Sequence, residues 1–271
     1  MTPQRSVMMI GDGPDVAAQR SVLATLPLRF RLVSSVDVAE ALLVSGSDAA
    51  AAQALEALNR RSRALFIASA AQLSPARIDE LCQAAGDRPV MFGIASAASL
   101  SEAALQILDC NQSTSPFIVD STGDVGSESL LRTSLLEQLT LLETLGGRVT
   151  GLDPLVVHST HVIAAATLEG AWRGVRLTAR IGTRDGISLR TVSRAFRREI
   201  RIVPAATAKP ADVAVFDAVG RREPQPLYQS GYRQCWIDLH GALEGQSIDE
   251  RTGTARRHLL LLDRLFQRRS A

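Results

Sequence analysis

Residues 7–17 read VMMIGDGPDVA: four apolar residues, a turn with two glycines, and the start of an amphipathic segment. The apolar run is typical of a buried strand, and proline is favoured in the first turn of a helix. A strand that passes through Gly-x-Gly into a helix is the first turn of a dinucleotide-binding βαβ unit. This stretch decides the fold because the segments that follow it repeat the same alternation.

Short apolar runs alternate with longer amphipathic runs as far as residue 120. The strands that we expect are residues 7–10, 29–34, 40–45, 64–69, 89–94 and 116–120. The expected helices are residues 14–26, 48–61, 74–86 and 99–108, with Asp48 and Ser74 as N-caps. Repeated strand-helix units predict a Rossmann-like parallel sheet.

The pattern changes after residues 120–127, a polar, glycine-rich stretch that we interpret as a domain boundary. An amphipathic helix is expected over 128–145, and two more over 228–243 and 253–268. Between them, strands are expected at 149–152, 161–167, 174–180, 188–193, 199–203 and 213–217. Successive strands without helices predict an open, mostly antiparallel sheet. The predicted fold class is α/β: residues 1–122 form a Rossmann-like dinucleotide-binding domain, and residues 123–271 form an α+β domain for substrate binding and oligomerisation.

The first turn carries only part of the G-x-G-x-x-G fingerprint. Gly11 and Gly13 are placed to let a pyrophosphate approach the helix N-terminus. Val16 stands where the third glycine belongs, and Pro14 removes one backbone donor. Negative charge is also present where phosphates would lie, from Asp12 and Asp15. Dinucleotide binding and a turn that has lost its ligand both remain open, and we expect binding to be weak or absent.

The end of the second strand lacks the acidic residue that usually holds a ribose 2′-hydroxyl. The strand ends in Ser34 and Ser35, and Asp37 comes two residues late. Serine suits a 2′-phosphate, with Arg31 as a possible partner, so both NAD and NADP remain candidates.

This layout resembles the Gfo/Idh/MocA oxidoreductases over nearly the whole chain. Gly11 and Gly13 match the family's dinucleotide turn, and residues 41–45, ending in Ser45, resemble its strand that leads to the nicotinamide. Residues 65–74 resemble the segment that normally contains Glu-Lys-Pro, whose lysine assists hydride transfer. This chain has Ala, Ser and Gln there. The resemblance implies an NAD(P) cofactor held by Gly11, Gly13, Ser34, Ser35 and Ser45.

Both proton carriers of that family are missing. Lys209 is the only lysine of the chain, and an arginine cannot exchange a proton near neutral pH. The family's Asp-x-x-x-His pattern corresponds to Thr133 and Glu137, and residues 128–145 contain no histidine. Glu137 is the candidate catalytic acid. Other possible acids or bases are His158, His161, His240 and His258.

Two functions follow as hypotheses. The first is an NAD(P)-dependent oxidoreductase, if active a reductase of a small molecule, because a reduction can take its proton from water. The second is a non-catalytic partner subunit or small-molecule-binding protein of the same fold.

Composition excludes other classes. With 46% hydrophobic and 21% charged residues and no apolar run of membrane-spanning length, no membrane role is expected. Cys82, Cys110 and Cys235 are widely spaced, so neither disulfides nor a metal site is expected. A net charge of +2 does not predict nucleic-acid binding. No secretion signal is apparent, so the expected location is the cytoplasm.

Self-assembly is also expected. The strands at 161–167 and 175–179 have apolar residues at alternate positions that one helix layer would not cover, and such a face marks an interface. We expect a homo-oligomer or a hetero-partner through residues 150–217, with Arg176 and Arg180 near the rim.

Overall fold

A computed structural model describes residues 4–12, 14–58, 62–100, 118–145, 148–169, 175–182, 186–192, 197–203, 210–224 and 230–267. The chain forms two compact units. The first comprises Met1–Ile94, Ala206–Ala208 and Tyr232–Leu259, and the second comprises the remaining residues. These units divide the chain after Ile94, whereas the predicted domain boundary after residue 122 stays a prediction.

The first unit contains sheet A, which has five strands in the order β2-β1-β3-β4-β5. The strands are β1 (Arg5–Ile10), β2 (Phe30–Val33), β3 (Ala41–Val44), β4 (Ala64–Ile67) and β5 (Val90–Phe92). All neighbouring pairs are parallel. The helices between them are α1 (Pro14–Ala24), α2 (Asp48–Leu58) and α3 (Pro75–Ala85). The predicted Rossmann-like parallel sheet is therefore confirmed.

The helix starts follow from local hydrogen bonds. Ser74 caps α3 as predicted, since its Oγ accepts a hydrogen bond from the backbone N–H of Arg77 at 3.3 Å. Asp48 is the first residue of α2 and not its cap, so that prediction is wrong. Ser47 performs the capping instead, accepting from the N–H of Ala50 at 3.2 Å.

A helix from the end of the chain completes the core of the first unit. The next helices along the chain are α4 (Ala95–Ala98), α5 (Leu131–Thr144) and α6 (Gly231–Leu243). The helix in this core is α6. Trp236 stacks on Phe66 at 4.3 Å between ring centroids and meets the Phe30 ring edge-on at 5.2 Å. Its indole N–H donates to Gln19 Oε1 at 2.8 Å, so this fully buried ring has a polar partner.

Sheet B, in the second unit, has eight strands in the order β13-β12-β11-β10-β6-β9-β8-β7. The strands are β6 (Ile118–Val125), β7 (Val149–Val157), β8 (His161–Leu168), β9 (Val175–Ile181), β10 (Gly186–Val192), β11 (Arg197–Val203), β12 (Asp212–Asp217) and β13 (Gly220–Arg222). Every neighbouring pair is antiparallel except β6 and β9. The predicted fold class is confirmed. The last helix is α7 (Asp249–Gln267), and no described helix has the length and apolarity needed to cross a bilayer.

Strand β6 corrects the sequence analysis. Residues 120–125, predicted as linker, lie in this central strand of sheet B, and so do the last residues of the strand predicted at 116–120. The inward positions of β6 include Ser121, which is 1% exposed, and Gly123. A β-carbon on Gly123 would lie 1.9 Å from Ser134 Oγ on α5. These inward positions hold small residues because α5 packs closely against them. The usual alternation of apolar and polar residues in a strand is therefore not visible in the sequence of β6.

Among the described residues, α5 packs on one face of sheet B, and the opposite face carries accessible side chains such as Arg176. Val175, Leu177 and Ala179 of β9 are buried on the side where α5 packs. The expectation of apolar residues that the helix layer leaves uncovered is therefore wrong for these three, whereas Ile163 and Ala165 of β8 are half-buried. Arg176 and Arg180 project from the opposite face of β9, and their place near the rim of an interface stays a prediction.

Candidate functional site

The turn after β1 requires a glycine. Gly11 has φ +94°, a conformation that side chains rarely adopt. A β-carbon there would also lie 2.3 Å from Ser45 Oγ and 2.9 Å from the Ala50 β-carbon. Since α1 starts at Pro14, the predicted tight strand-to-helix turn is confirmed. Gly13 lies outside the described residues.

Ser45 is brought directly against this turn. It follows β3, which pairs with β1, and its backbone N–H donates to the Ile10 carbonyl at 3.1 Å. The side chain is buried, with its Oγ 3.4 Å from the Ser47 Oγ at the start of α2. Because β2 and β3 lie on opposite sides of β1, this is the switch point of sheet A, where parallel sheets bind ligands beyond their carboxyl ends.

Ser34 and Ser35 lie beyond the end of β2, on the other side of β1 from Ser45. Both are exposed. Ser35 begins a short 3-10 helix, Val36–Val38, and its Oγ accepts from the Asp37 N–H at 3.3 Å. Asp37 therefore belongs to this helix and not to the strand end where a ribose-binding carboxylate would be expected.

The segment after β4 has no lysine and packs closely against the turn after β3. Ala70 and Ala71 are buried in a 3-10 helix, Ala70–Gln72. A β-carbon on Gly46 would lie 2.6 Å from the Ser69 carbonyl oxygen and 3.0 Å from the Gln72 β-carbon. This close approach was not apparent from the sequence, although a glycine next to Ser45 was a signal for it.

The carboxylate of Glu137 accepts hydrogen bonds from two backbone amides. The carboxylate lies on α5 and is 8% exposed. Oε1 accepts from the Ala95 N–H at 2.9 Å, and Oε2 accepts from the Ser96 N–H at 2.7 Å. Burial raises the pKa of Glu137, while the two amide hydrogen bonds oppose this rise. Both oxygens thus anchor the start of α4, and the catalytic role of Glu137 stays a prediction.

The histidines are dispersed. His158 and His161 flank the turn between β7 and β8, where Thr160 Oγ1 lies 2.9 Å and 3.2 Å from their Nδ1 atoms. His240 and His258 are buried in α6 and α7. Within the described ranges, no three His, Cys, Asp or Glu side chains are grouped to hold a metal ion.

Comparison with known proteins supports the fold. No protein-family model and no curated protein matches the sequence. Among solved structures, a super-repressor mutant of Gal80p from Saccharomyces cerevisiae is similar, with 10% identity and a TM-score of 0.73, over 98% of this chain and 96% of that chain. The dehydrogenase MviM from Clostridium difficile has 10% identity and a TM-score of 0.69, with coverages of 98% and 99%.

A third similar structure is KijD10, a 3-ketoreductase from Actinomadura kijaniata in complex with NADP and TDP-benzene. It has 13% identity and a TM-score of 0.65, and the match covers 98% of each chain. This chain therefore shares the fold of these three structures.

Proposed function

We propose that this protein binds a nicotinamide dinucleotide at the carboxyl edge of sheet A and acts as a reductase of a small molecule. The observation that carries the proposal is the left-handed turn at Gly11, packed against Ser45 at the switch point of the sheet. Because Gly11 lacks a β-carbon, Ser45 and Ala50 pack directly against the turn, which leads into the N-terminus of α1, where a pyrophosphate would bind. The NADP complex of the similar structure KijD10 supports this choice of ligand.

The residues around the turn fit the dinucleotide only in part. The N-terminus of α1 favours a pyrophosphate, and Ser34 and Ser35 offer hydroxyls for a ribose or its 2′-phosphate. The exposed Asp12 repels phosphate, and Pro14 donates no hydrogen bond. We therefore expect weak affinity.

The dinucleotide, when bound, supplies a hydride. The chain then has to orient the small molecule that accepts the hydride. A reduction whose proton comes from water needs no lysine as a proton donor. Cytoplasmic location belongs to the same proposal.

A second function is favoured by a specific observation. Both oxygens of Glu137 are bound by backbone amides, and Ala70 and Ala71 lie buried in the segment that resembles the family's lysine segment. In this alternative, the positions that the resemblance assigns to the two proton carriers have structural roles. This supports the alternative of a non-catalytic partner subunit or small-molecule-binding protein.

Calorimetric titration with NADPH and NADH tests the proposal. We expect Asp12→Ala to tighten binding by about two- to fivefold, since removing one charge near a helix N-terminus changes the energy of a bound anion by about 0.3–1 kcal/mol. Gly11→Ala should abolish binding. The control is Gly86→Ala, because Gly86 also has positive φ, but a β-carbon there would meet no atom within 4 Å.

The two functions differ in their outcomes. NADPH binding with oxidation of NADPH in the presence of a carbonyl or imine compound supports the reductase. Binding without turnover over such a panel supports the non-catalytic alternative. Failure of the wild type to bind either dinucleotide at millimolar concentration contradicts the proposal.

A further inference from the structure

A groove lies over strands β11 and β12 of sheet B. Its volume is about 430 Å³, and small-molecule pockets have volumes of roughly 300–1,000 Å³. It is lined by three charged residues of β11 and by three residues at the end of β12, namely Arg197, Glu199, Arg201, Phe216, Asp217 and Ala218. We call this feature the β11–β12 groove. All of its lining belongs to the second unit, whereas the turn at Gly11 belongs to the first.

The alternation of β11 places its three charged groove residues on one face. Residues two apart in a strand project to the same side of a sheet. Ile200, which lies between two of them, is buried at 1% exposure, so the charged residues project to the accessible face. In the register, Phe216 of β12 is directly opposite Glu199, the middle one of the three. The ring of Phe216 is thus flanked along β11 by Arg197 and Arg201.

The carboxylate of Glu199 is already engaged within the sheet. It accepts hydrogen bonds from Ser188 Oγ at 3.0 Å and from Arg190 at 3.2 Å. Arg201 donates to it at 3.3 Å. Burial alone would raise the pKa of Glu199, but these hydrogen bonds and the charges of the two arginines hold it below its ordinary value. Glu199 therefore stays ionised and orients the guanidinium of Arg201.

Positive charge remains available in the groove. The second carboxylate of the lining, Asp217, is paired with Arg222 of β13. Arg197 is exposed and, among the described residues, forms no ion pair. Arg201 shares its carboxylate partner with another arginine, so some of its five N–H donors remain available. Two guanidinium groups can therefore bind an anion here.

The groove also offers flat surfaces for an aromatic ring. Phe216 is half-buried, and the guanidinium carbon of Arg201 lies 5.8 Å from the centre of its ring. This distance is typical of a cation–π contact. Aromatic rings pack on phenyl rings and on the planar guanidinium group. The donors for an anion thus lie beside the surface for a ring.

We propose that the β11–β12 groove binds a small molecule that carries an aromatic ring and one anionic group, a phosphate or a carboxylate. The anionic group binds the guanidinium groups of Arg197 and Arg201, and the ring packs against Phe216. The inference goes beyond the proposed function and does not depend on dinucleotide binding.

The acidic residues of the lining restrict the size of the ligand. A polyanion such as a nucleic acid would bring further phosphates against Glu199 and Asp217, and like charges at short distance repel. A ligand with a single anionic group avoids this repulsion because it contacts only the two arginines. The charge pattern therefore favours a small aromatic acid.

Titration calorimetry with phenyl phosphate, inorganic phosphate and benzyl alcohol tests the proposal. These probes carry both groups, the anion alone and the ring alone. We expect phenyl phosphate to bind at least about fivefold more tightly than either of the others, because charge and ring packing both contribute. NaCl should weaken its binding. Benzoate, titrated in parallel, shows which of the two anionic groups binds more tightly.

Two substitutions separate the contributions of charge and ring. Arg197→Gln should weaken binding of phenyl phosphate by about three- to tenfold, since it removes a charge-assisted hydrogen bond at an accessible position. Phe216→Leu should weaken binding of phenyl phosphate by about two- to tenfold and leave binding of inorganic phosphate unchanged. Near-ultraviolet circular dichroism checks folding, and Phe216→Met replaces Phe216→Leu if that variant does not fold.

Arg148→Gln is the matched control. Arg148 is 60% exposed and adjoins β7, at the opposite edge of sheet B from β13, so its substitution should leave binding unchanged. Gly11→Ala, which should abolish dinucleotide binding, should also leave binding of phenyl phosphate unchanged. This variant distinguishes the groove from the proposed dinucleotide site.

Several outcomes would overturn the proposal. They are no binding of phenyl phosphate at millimolar concentration, equal affinity for phenyl phosphate and inorganic phosphate, and equal weakening by Arg197→Gln and Arg148→Gln. Loss of phenyl phosphate binding in a folded Gly11→Ala protein would also overturn it, because the ligand would then occupy the dinucleotide site.

Discussion

Sheet A and sheet B use the same strand geometry for different purposes. Every residue of β3 and β4 is buried. All strand pairs of sheet A are parallel, and helices cover both faces of such sheets. The strands of sheet B alternate between buried and accessible residues, as in β9. The comparison shows that burial restricts the residue types of β3 and β4 at every position, whereas in β9 it restricts only alternate positions.

The largest expected effect is a difference in unfolding free energy between a buried leucine of sheet A and an exposed leucine of sheet B. Leu42→Ala, in the fully buried β3, should lower the free energy of unfolding by about 3–4 kcal/mol, since it removes buried methyl groups and leaves a cavity. Leu155→Ala, on a β7 residue that is 60% exposed, should cost less than about 0.5 kcal/mol. Urea denaturation measures both. Equal losses would contradict the assigned difference between the sheets.

The next effect concerns the buried carboxylate. Glu137→Ala leaves the amides of Ala95 and Ser96 without acceptors and should cost about 2–3 kcal/mol. The exposed ion pair of Glu80 with Arg77 provides the control, and Glu80→Ala should cost less than about 0.5 kcal/mol. A Glu137→Ala protein of wild-type stability would contradict the structural role of this carboxylate.

Glycine replacements compare the two faces of sheet B. Gly123→Ala forces a methyl group into Ser134 Oγ at 1.9 Å and should cost about 1–3 kcal/mol by overpacking. Gly151→Ala meets nothing nearer than Thr167 Oγ1 at 3.4 Å, so thermal unfolding should change little. If Gly123→Ala were tolerated equally well, α5 would not pack against β6 as described.

The smallest effect is a pH dependence in the first unit. His240 is 6% exposed, and burial, followed by the charge of Arg29, lowers its pKa below the ordinary value of 6.5. The native state therefore binds the proton less readily than the unfolded chain, and stability is lost as pH falls below about 6.5. His240→Leu should reduce the loss of unfolding free energy between pH 7.5 and 5, as measured by urea denaturation at each pH. An unchanged pH profile for His240→Leu would contradict this assignment.

Prediction from sequence succeeded where burial is reflected in residue type. The strands of sheet A were placed within a few residues because helices cover both faces, which requires continuous apolar runs such as Ala41–Val44. Residues 121–125 of strand β6 were missed because its inward positions, Ser121 and Gly123, are small or polar. The short β13 was also missed, since all its residues are exposed and carry no core pattern.

At the candidate site, the sequence identified the glycine turn but not the residues that pack against it. Gly11 was identified because a positive φ restricts the residue type strongly. The partner of that turn, Ser45, is brought near only by the pairing of β1 with β3. The contacts of Glu137 depend on where α4 lies along the fold, and no local pattern reports such a contact.

The sequence by itself determined most of the strands and helices, the glycine turn after β1 and the presence of a single lysine, Lys209, since these depend on residue type and local backbone preference. Only the tertiary structure decided that Ser45 lies against the turn at Gly11 and that the carboxylate of Glu137 is buried on two backbone amides. Strand pairing brings together residues that are distant in sequence, and pairing is settled by burial over the whole sheet.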